Sequence, residues 1–234
     1  MFISVVIPAY NEERYLPVCL RALDRQTFPA SQFEVIVVDN ASTDATAAVA
    51  CRLGARVVAE PRKGVSRARQ AGFQAALGLI IASTDADTRV PPDWLARIAA
   101  HFERNPALGG VYGPVHWPEG RIGERLMLRY PGTWALWASN RAGRSLWWGS
   151  NFAVRREVFW QAGGFPVDWP SGEDTDLSLR VSRLASVRFD PALVVWASNR
   201  RVQEGGGQMF QRGLANVVNR FFLRRAPRPM PDFR

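Results

Sequence analysis

Three apolar runs in the first ninety residues are each followed by acidic side chains. Segments with the spacing of amphipathic helices separate the runs, which predicts parallel strands connected by helices. Ligands of open α/β sheets bind beyond the carboxyl ends of such strands. The sequence therefore predicts a carboxylate cluster at the sheet edge where a nucleotide and a metal ion would bind. The runs cover residues 4–7, 35–38 and 79–82, and the acids after them are Glu12, Asp39, Asp85 and Asp87.

The length of 234 residues and the hydrophobic fraction of 47% suit one large α/β domain or two small ones. No stretch approaches eighteen consecutive apolar residues, so no transmembrane helix is predicted. A strand begins within two residues of the N-terminus, and we expect no signal peptide and a cytoplasmic protein. Cys19 and Cys51 fall on apolar faces of predicted helices and lack metal-ligand spacing, which predicts buried free thiols.

The net charge is +9, and Lys63 is the only lysine among 30 basic residues. Excess positive charge attracts phosphates, nucleic acids and anionic membranes. The arginines are spread along the chain without a recognised nucleic-acid motif, so we expect no nucleic acid partner. Residues 201–234 predict a basic amphipathic helix and tail. This helix could lie on an anionic membrane, but its core-like spacing favours docking on the domain.

The predicted element order over residues 1–105 is βαβαβαβ, which is typical of a Rossmann-like nucleotide-binding half. Residues 106–200 carry most of the tryptophans and should form a second half of the same domain. We therefore expect one α/β domain over residues 1–200, with a mostly parallel central sheet flanked by helices, followed by the basic segment 201–234.

Asp85, Ala86 and Asp87 follow an apolar strand and precede a helix. Carboxylates at positions i and i+2 of an extended segment point the same way. Together they offer the hard oxygen ligands that Mg²⁺ or Mn²⁺ prefers. An Asp-x-Asp pair often marks a solvated turn, but this placement favours a metal that bridges nucleotide phosphates.

Other residues at the strand ends allow two interpretations each. Asp39 could accept hydrogen bonds from a base or ribose, or it could stabilise a turn. Tyr10 could pack on a base or cover the sheet edge. Lys63, Arg67 and Arg69 could hold a base or diphosphate, or lie on a solvated helix face.

The pair Glu173 and Asp174 follows a Pro-Ser-Gly turn and begins a predicted helix. Acids are favoured in the first turn of any helix, and on spacing alone this structural role is the favoured explanation of the pair. A helix start beside a pocket also suits a general base. Trp147 or Trp148 could stack on a sugar face, although core packing fits either one equally well.

Six spaced blocks occur in the order seen in family 2 glycosyltransferases of the GT-A fold, and the resemblance covers about residues 3–185. It implies sugar transfer from a nucleotide-sugar with inversion at the anomeric carbon. The expected acceptor is a saccharide or a lipid-linked acceptor of cell-envelope polysaccharide or glycolipid synthesis, at the inner face of the plasma membrane if the basic helix binds there. The blocks are residues 4–13, 35–44, 63–72, 85–87, 149–151 and 172–180.

The resemblance also implies roles for single residues. Asp39 would read the base, most simply the uracil of a UDP-sugar, with help from Lys63 or Arg69. Asp85 would face the ribose and diphosphate beside Ala86, and Asp87 would bind Mg²⁺ or Mn²⁺. The base and ribose pocket would be lined by Pro8, Ala9, Tyr10 and Glu12.

In the second half, the resemblance implies that Asn151 lines the donor-sugar or acceptor side. Asp174 would deprotonate the acceptor hydroxyl, with Glu173 beside it.

The sequence departs from the family pattern at one point. Many GT-A enzymes add a C-terminal histidine to the metal, whereas His101 and His116 lie too early in this chain for that role. Arg200 or Arg201 could supply positive charge to the diphosphate instead. This departure keeps an alternative open, a non-catalytic protein that binds nucleotide-sugars or polyanions.

Overall fold

A computed structural model describes residues 1–117, 137, 139–141, 143 and 145–198. The strands are β1 (Ile3–Ala9), β2 (Phe33–Asp39), β3 (Arg56–Ala59), β4 (Ile80–Ser83), β5 (Thr88–Arg89), β6 (Leu108–Tyr112), β7 (Val115–His116), β8 (Phe152–Arg155), β9 (Ser186–Phe189) and β10 (Val195–Ala197). The helices are α1 (Leu16–Asp24), α2 (Thr46–Arg52), α3 (Val65–Ala75), α4 (Trp94–Arg104), α5 (Arg156–Gln161) and α6 (Glu173–Leu184). A short 3-10 turn at Ala30–Gln32 precedes β2.

Seven strands form the central sheet in the order β3-β2-β1-β4-β8-β6-β9. Strands β1 to β4 are parallel, as are β6 and β9, whereas β8 runs antiparallel between β4 and β6. The predicted α/β class with a mostly parallel sheet is confirmed. A second sheet of three short strands, in the order β5-β10-β7, was not predicted.

Side chains that alternate along the central strands divide the core into two clusters, one on each face of the sheet. Ile3, Val5 and Ile7 of β1 pack in one cluster with α1, α2 and α4. Val6 of the same strand packs in the other cluster, against residues of α3, α5 and α6 such as Phe73. The strands are apolar on both faces because helices cover both faces.

Gly72 lets helix α3 pack directly against the sheet, where no side chain would fit. A Cβ at this position would lie 2.8 Å from Val38 Cγ2 and closer still to Val6, so a larger residue would push the helix away. The close approach fixes Arg69, one turn earlier on the same helix, over the carboxyl ends of the strands.

Two further sequence expectations can be compared with the fold. Cys19 is buried as predicted, but Cys51 lies on the solvent side of α2 and is exposed, which corrects that prediction. Among the helices that the structure describes, none is both long and apolar enough to span a membrane. The predicted C-terminal helix lies outside the described residues.

Candidate functional site

The carboxyl ends of β2, β1 and β4 meet at one edge of the central sheet. Ala9 at the end of β1 pairs with Asp39 at the end of β2, and the Thr84 N–H donates to the Val6 carbonyl beyond β4. Neighbouring strands lie about 4.8 Å apart, so Asp39 and Asp85 are separated by roughly 10 Å across β1. A span of this size lets one bound molecule contact both ends of the row.

Hydrogen bonds join the loops that follow β1 and β2. The Thr43 N–H donates to Asn11 Oδ1 at 2.9 Å, and the Asn11 N–H donates to Ser42 Oγ at 3.1 Å. Asn11 and Ala41 both adopt left-handed backbone angles, with φ of 52° and 60°. Non-glycine residues rarely adopt this conformation, and its occurrence clusters at functional sites. The two loops therefore form one rigid rim beside Asp39.

The loop between β3 and α3 brings Lys63 to the same rim. Lys63 Nζ contacts the Tyr10 hydroxyl and lies 4.2 Å from the centroid of the Tyr10 ring. Asn40 holds this loop: its Nδ2 donates to the carbonyls of Glu60 and Arg62, and its Oδ1 accepts from the Gly64 N–H at 2.7 Å. Asn40 is a site residue that the sequence did not reveal, because an asparagine after a strand looks like any turn residue.

Arg69 lies between the carboxylates of the two halves of the sequence. The guanidinium Nη2 donates to Asp85 Oδ1 at 2.7 Å, and Nη1 forms an ion pair with Glu173 Oε1. Arg69 is only 4% exposed. This burial excludes the solvated helix face that was one of its expected places, and Arg69 connects the end of β4 to the start of α6. Its contact with a base or diphosphate stays a prediction.

Helix α6 begins with the predicted acidic pair, and the two side chains differ in access. Glu173 is buried against Arg69, so it cannot reach a substrate, which corrects its assignment beside the base. Asp174 is half-buried, and its Oδ2 accepts from the Gly149 N–H at 2.7 Å. A Cβ at Gly149 would lie 2.7 Å from Nη1 of Arg69 and closer to other guanidinium atoms, so this loop fits tightly around the arginine.

The buried charges shift one another's pKa values. Burial raises the pKa of Glu173 to about 7, against the attraction of Arg69 and with a further rise from Asp174. Burial also raises the pKa of Asp174, opposed by Arg69 and by the N–H groups of Thr175 and Gly149. For Arg69, burial lowers the pKa, but Glu173, Asp85 and Asp174 outweigh it and raise the pKa above its ordinary value. A cluster of one cation and three carboxylates of this kind is typical of a functional site.

A sequence model of the family described as glycosyl transferase family 2 matches residues 4–163. The chain belongs to glycosyl transferase family 2. An uncharacterized glycosyltransferase of Mycobacterium bovis is 42% identical over 130 residues, which cover 53% of this chain and 57% of the relative. The chain thus spans about half the length of the curated relatives it matches.

Solved structures show the same fold. The mannosyltransferase PcManGT of Pyrobaculum calidifontis, in complex with GDP-Man and Mn²⁺, has a TM-score of 0.75 at 23% identity, over 96% of this chain and 65% of its own. TarS of S. aureus, in complex with UDP-GlcNAc, has a TM-score of 0.70 at 22% identity, over 86% of this chain and 59% of its own. The fold of this family 2 chain is GT-A.

The Asp85–Asp87 segment of this glycosyltransferase family member has the chemistry of a cation site. Ala86 is buried at 2% exposure, whereas Asp85 and Asp87 on either side of it are half-buried. The buried Cys19 thiol lies beside this segment, with its Sγ 3.5 Å from the Asp85 carbonyl oxygen. Burial raises the pKa of this thiol, and the charges of Asp87, Asp85 and Glu12 raise it further.

Across the described part of the chain, no group of three or more His, Cys, Asp or Glu side chains gathers to hold a metal. Asp85 and Asp87 offer two carboxylates, the hard oxygen ligands that Mg²⁺ or Mn²⁺ prefers. Arg200, the expected substitute for the missing histidine, lies outside the described residues. The Ser198 N–H, just before it, donates to the Asp87 carbonyl at 3.1 Å.

Several predicted contact residues of this family 2 chain are buried. Asn151 is fully buried, where it accepts from Trp94 Nε1 and donates to the carbonyls of Pro114 and Leu193. It holds the two sheets together and does not line a pocket, which corrects its assignment. Ala9, Glu12 and Ala86 are each 2% exposed, so little of their surface is open to a ligand, and their part in the nucleotide-sugar site stays a prediction. Pro8, Tyr10 and Asp39 are half-buried at the rim.

The two tryptophans predicted near a sugar behave differently. Trp147 is 2% exposed and stacks on Phe152 with ring centroids 4.7 Å apart, so it belongs to the core. Trp148 is 43% exposed and meets Trp117 edge to face at 5.5 Å. Trp148 directly precedes Gly149, whose N–H contacts Asp174, and it is the tryptophan of this pair that a substrate could touch.

Proposed function

We propose that this chain transfers a sugar from a nucleotide-sugar to a hydroxyl group with inversion at the anomeric carbon. The observation that carries the proposal is the bridge made by Arg69. Its guanidinium binds Asp85, at the end where a donor would lie, and Glu173, next to the only half-buried carboxylate at the start of α6. In this proposal, the Arg69 bridge holds the sheet edge at Asp85, where the nucleotide-sugar would bind, next to the start of α6, which carries the proton acceptor.

In this proposal, Asp174 is the general base. The Gly149 N–H holds one of its oxygens, and the rigid start of α6 fixes its position. A base must reach the proton that it removes, and Asp174 has the access that Glu173 lacks. The acceptor oxygen forms its bond to the anomeric carbon as its proton passes to Asp174, and the bond from that carbon to the diphosphate oxygen breaks on the opposite face.

Negative charge develops on the departing diphosphate, and its stabilisation should contribute most to the rate. Asp87, with Asp85 beside it, would hold Mg²⁺ or Mn²⁺, which neutralises diphosphate charge when bound. Lys63, in contact with Tyr10 at the rim, would add a second positive charge. The Mn²⁺ in the PcManGT complex supports the metal assignment.

The donor base is proposed from Asp39. Its carboxylate at the end of β2 accepts a backbone hydrogen bond from Ser42 at 3.3 Å and retains capacity for a further donor. A uracil N3–H is the simplest such donor, so a UDP-sugar is the proposed substrate. The structural neighbours bind both kinds of nucleotide, GDP-Man in one case and UDP-GlcNAc in the other.

The proposed acceptor is a saccharide or a lipid-linked acceptor used in the cell envelope, at the cytoplasmic face of the membrane. Exposed Trp148 beside the base supports a sugar acceptor. The basic composition of residues 201–234, with seven arginines against two acids, supports contact with an anionic surface.

Two substitutions test the proposal. Asp174→Asn should remove most transfer, because a positioned base contributes ~10²–10⁴-fold, while donor binding stays close to that of the natural chain. Asp87→Ala should lose both transfer and most metal-dependent donor binding. Isothermal titration with UDP-sugars and Mn²⁺ measures binding, and release of nucleoside diphosphate measures turnover. Near-normal turnover in Asp174→Asn would refute the base assignment, and donor binding without any turnover in the natural chain would favour the non-catalytic alternative.

A further inference from the structure

The three-stranded sheet presents one outer face that continues from Asp87. Thr88 and Val90 are buried at 1% and 3%, so Asp87 and Arg89, which alternate with them, point outward. Arg89 pairs with Trp196 of β10, and Trp196 pairs with His116 of β7. Cross-strand partners share a face of a sheet, so Arg89, Trp196 and His116 form one row.

This row lies one step from the proposed metal residue. The Ser198 N–H donates to the Asp87 carbonyl, which places these two residues in the next row of the same face. Two residues along a strand correspond to about 6.6 Å. The face therefore extends from the reacting centre to Trp196 and beyond it.

A cavity of about 320 Å³ opens on the far side of this row from Asp87. Trp196, His116 and Val194 line it from the sheet, and Asp93 and Arg97 line it from the start of α4. Its volume is at the lower end of the range for small-molecule sites. Arg97 Nε donates to Asp93 Oδ2 at 2.5 Å, so the two formal charges of the cavity wall are paired.

We propose that this cavity and the Trp196 ring form a subsite for a neutral saccharide, namely a sugar unit of the acceptor that is remote from the reacting hydroxyl. The proposal rests on the proposed function, because it extends the acceptor site of that reaction. An aromatic ring offers an apolar surface to the C–H face of a pyranose, and the paired Asp93 and Arg97 offer an acceptor and donors to its hydroxyl groups.

The charge balance decides the class of ligand. An anion would need unpaired positive charge in the cavity, whereas Arg97 is already bound to Asp93. Arg89 lies 5.4 Å from the Trp196 ring but does not line the cavity. A neutral ligand with many hydroxyl groups and one apolar face matches the ion pair and the aromatic ring of the cavity wall. Because the cavity lies about two residues from Asp87, an acceptor that reaches both places should contain at least two sugar units.

The test is saturation-transfer NMR on the whole protein with cellobiose, maltose and mannobiose, without a donor. We expect saturation of at least one disaccharide by the natural chain. Trp196→Ala should reduce it about tenfold, since an aromatic contact is worth up to that factor, and Trp196→Phe should restore most of it. Trp160→Ala is the matched control, because Trp160 is 44% exposed on α5, away from this sheet, and should leave saturation unchanged.

Saturation of none of the three disaccharides would overturn the proposal, and so would equal saturation in Trp196→Ala and the natural chain. Titration of the natural chain with UDP- and GDP-sugars and Mn²⁺ in parallel separates the two hypotheses. Saccharide binding without nucleotide-sugar binding would count against the proposed function, whereas nucleotide-sugar binding with no saccharide contact at Trp196 would count against the subsite alone.

Discussion

At the scale of single residues, the sequence around Arg69 does not reveal whether its side chain is buried or exposed. Arg67 and Arg69 stand two positions apart on α3. Arg67 pairs with Asp168, whose side chain is 81% exposed, whereas Arg69 is buried between Asp85 and Glu173. Helix rotation separates the two side chains, and only the path of residues 149–174 decides which one meets a buried acid.

This contrast gives a matched pair of variants. Arg69→Met leaves two carboxylates without their buried cation and should lower the free energy of unfolding by about 3–5 kcal/mol. Arg67→Met removes an ion pair whose carboxylate is 81% exposed to water and should cost about 0–1 kcal/mol. Urea denaturation followed by circular dichroism measures both. Equal losses in the two variants would show that the Arg69 bridge contributes no more than a surface pair.

Lys63 offers a second test at this scale. Because it contacts Tyr10 at the proposed nucleotide rim, Lys63→Met should weaken UDP binding about tenfold through loss of a charge-assisted contact. Arg62→Met is the control, since the Arg62 side chain is 71% exposed and pairs only with Glu60 in its own loop. Isothermal titration should give an unchanged UDP affinity for Arg62→Met. A similar loss of affinity in both variants would mean that the overall positive charge of the loop, and not a specific contact of Lys63, favours UDP binding.

At the scale of elements, Asn40 controls a loop rather than a ligand. Its side chain makes three hydrogen bonds to the backbone of residues 60–64, the segment that presents Lys63. Asn40→Ala should cost about 1–3 kcal/mol of stability, because buried backbone groups lose partners, and should also weaken UDP binding. Asn105→Ala, which removes one bond to an exposed N–H, should leave UDP affinity unchanged. Full UDP affinity in Asn40→Ala would show that the loop holds its position without it.

The sequence predicted those strands and helices whose apolar pattern lies within one short, continuous segment. Strands β1, β2 and β4 are runs of apolar residues long enough to show that both faces are buried, and the helices between them show their apolar spacing. The central position of antiparallel β8 was not predictable, because strand order depends on contacts between residues about 70 apart. Strands β5 and β7 have two residues each, too few to show a period.

The residues of the candidate site also divide into those that the sequence predicted and those whose burial it did not reveal. Asp39, Asp85 and Asp87 follow predictable strands, and their common edge follows from parallel pairing. The burial of Asn151 and Glu173 was hidden, because a polar side chain that binds backbone or an internal arginine has the same sequence signature as one that binds a ligand.

At the scale of the whole molecule, the Arg69 bridge couples the ionisation of the two halves. Burial raises the pKa of Glu173 to about 7 and raises that of Asp174 above its ordinary value, while Arg69 opposes both shifts. The proposed base acts only when it is ionised. Turnover should therefore fall as the pH drops through an apparent pKa that lies above the usual range of aspartate and belongs to the coupled pair.

Removal of the Arg69 guanidinium should shift the acidic limb of the pH–rate profile, the range in which turnover falls as the pH drops, to higher pH. Without the guanidinium, only the N–H groups of Thr175 and Gly149 oppose the effect of burial on Asp174, so the acidic limb of the kcat/KM profile should shift to higher pH in Arg69→Met, and Arg69→Lys should restore part of the shift. Arg67→Met should keep the original profile, because Arg67 does not contact the acidic pair. Release of nucleoside diphosphate from a UDP-sugar between pH 4 and 9 measures the limb. A limb near pH 4 in the natural chain would mean that Asp174 titrates like an exposed aspartate, and the buried cluster would then have no part in the proton transfer.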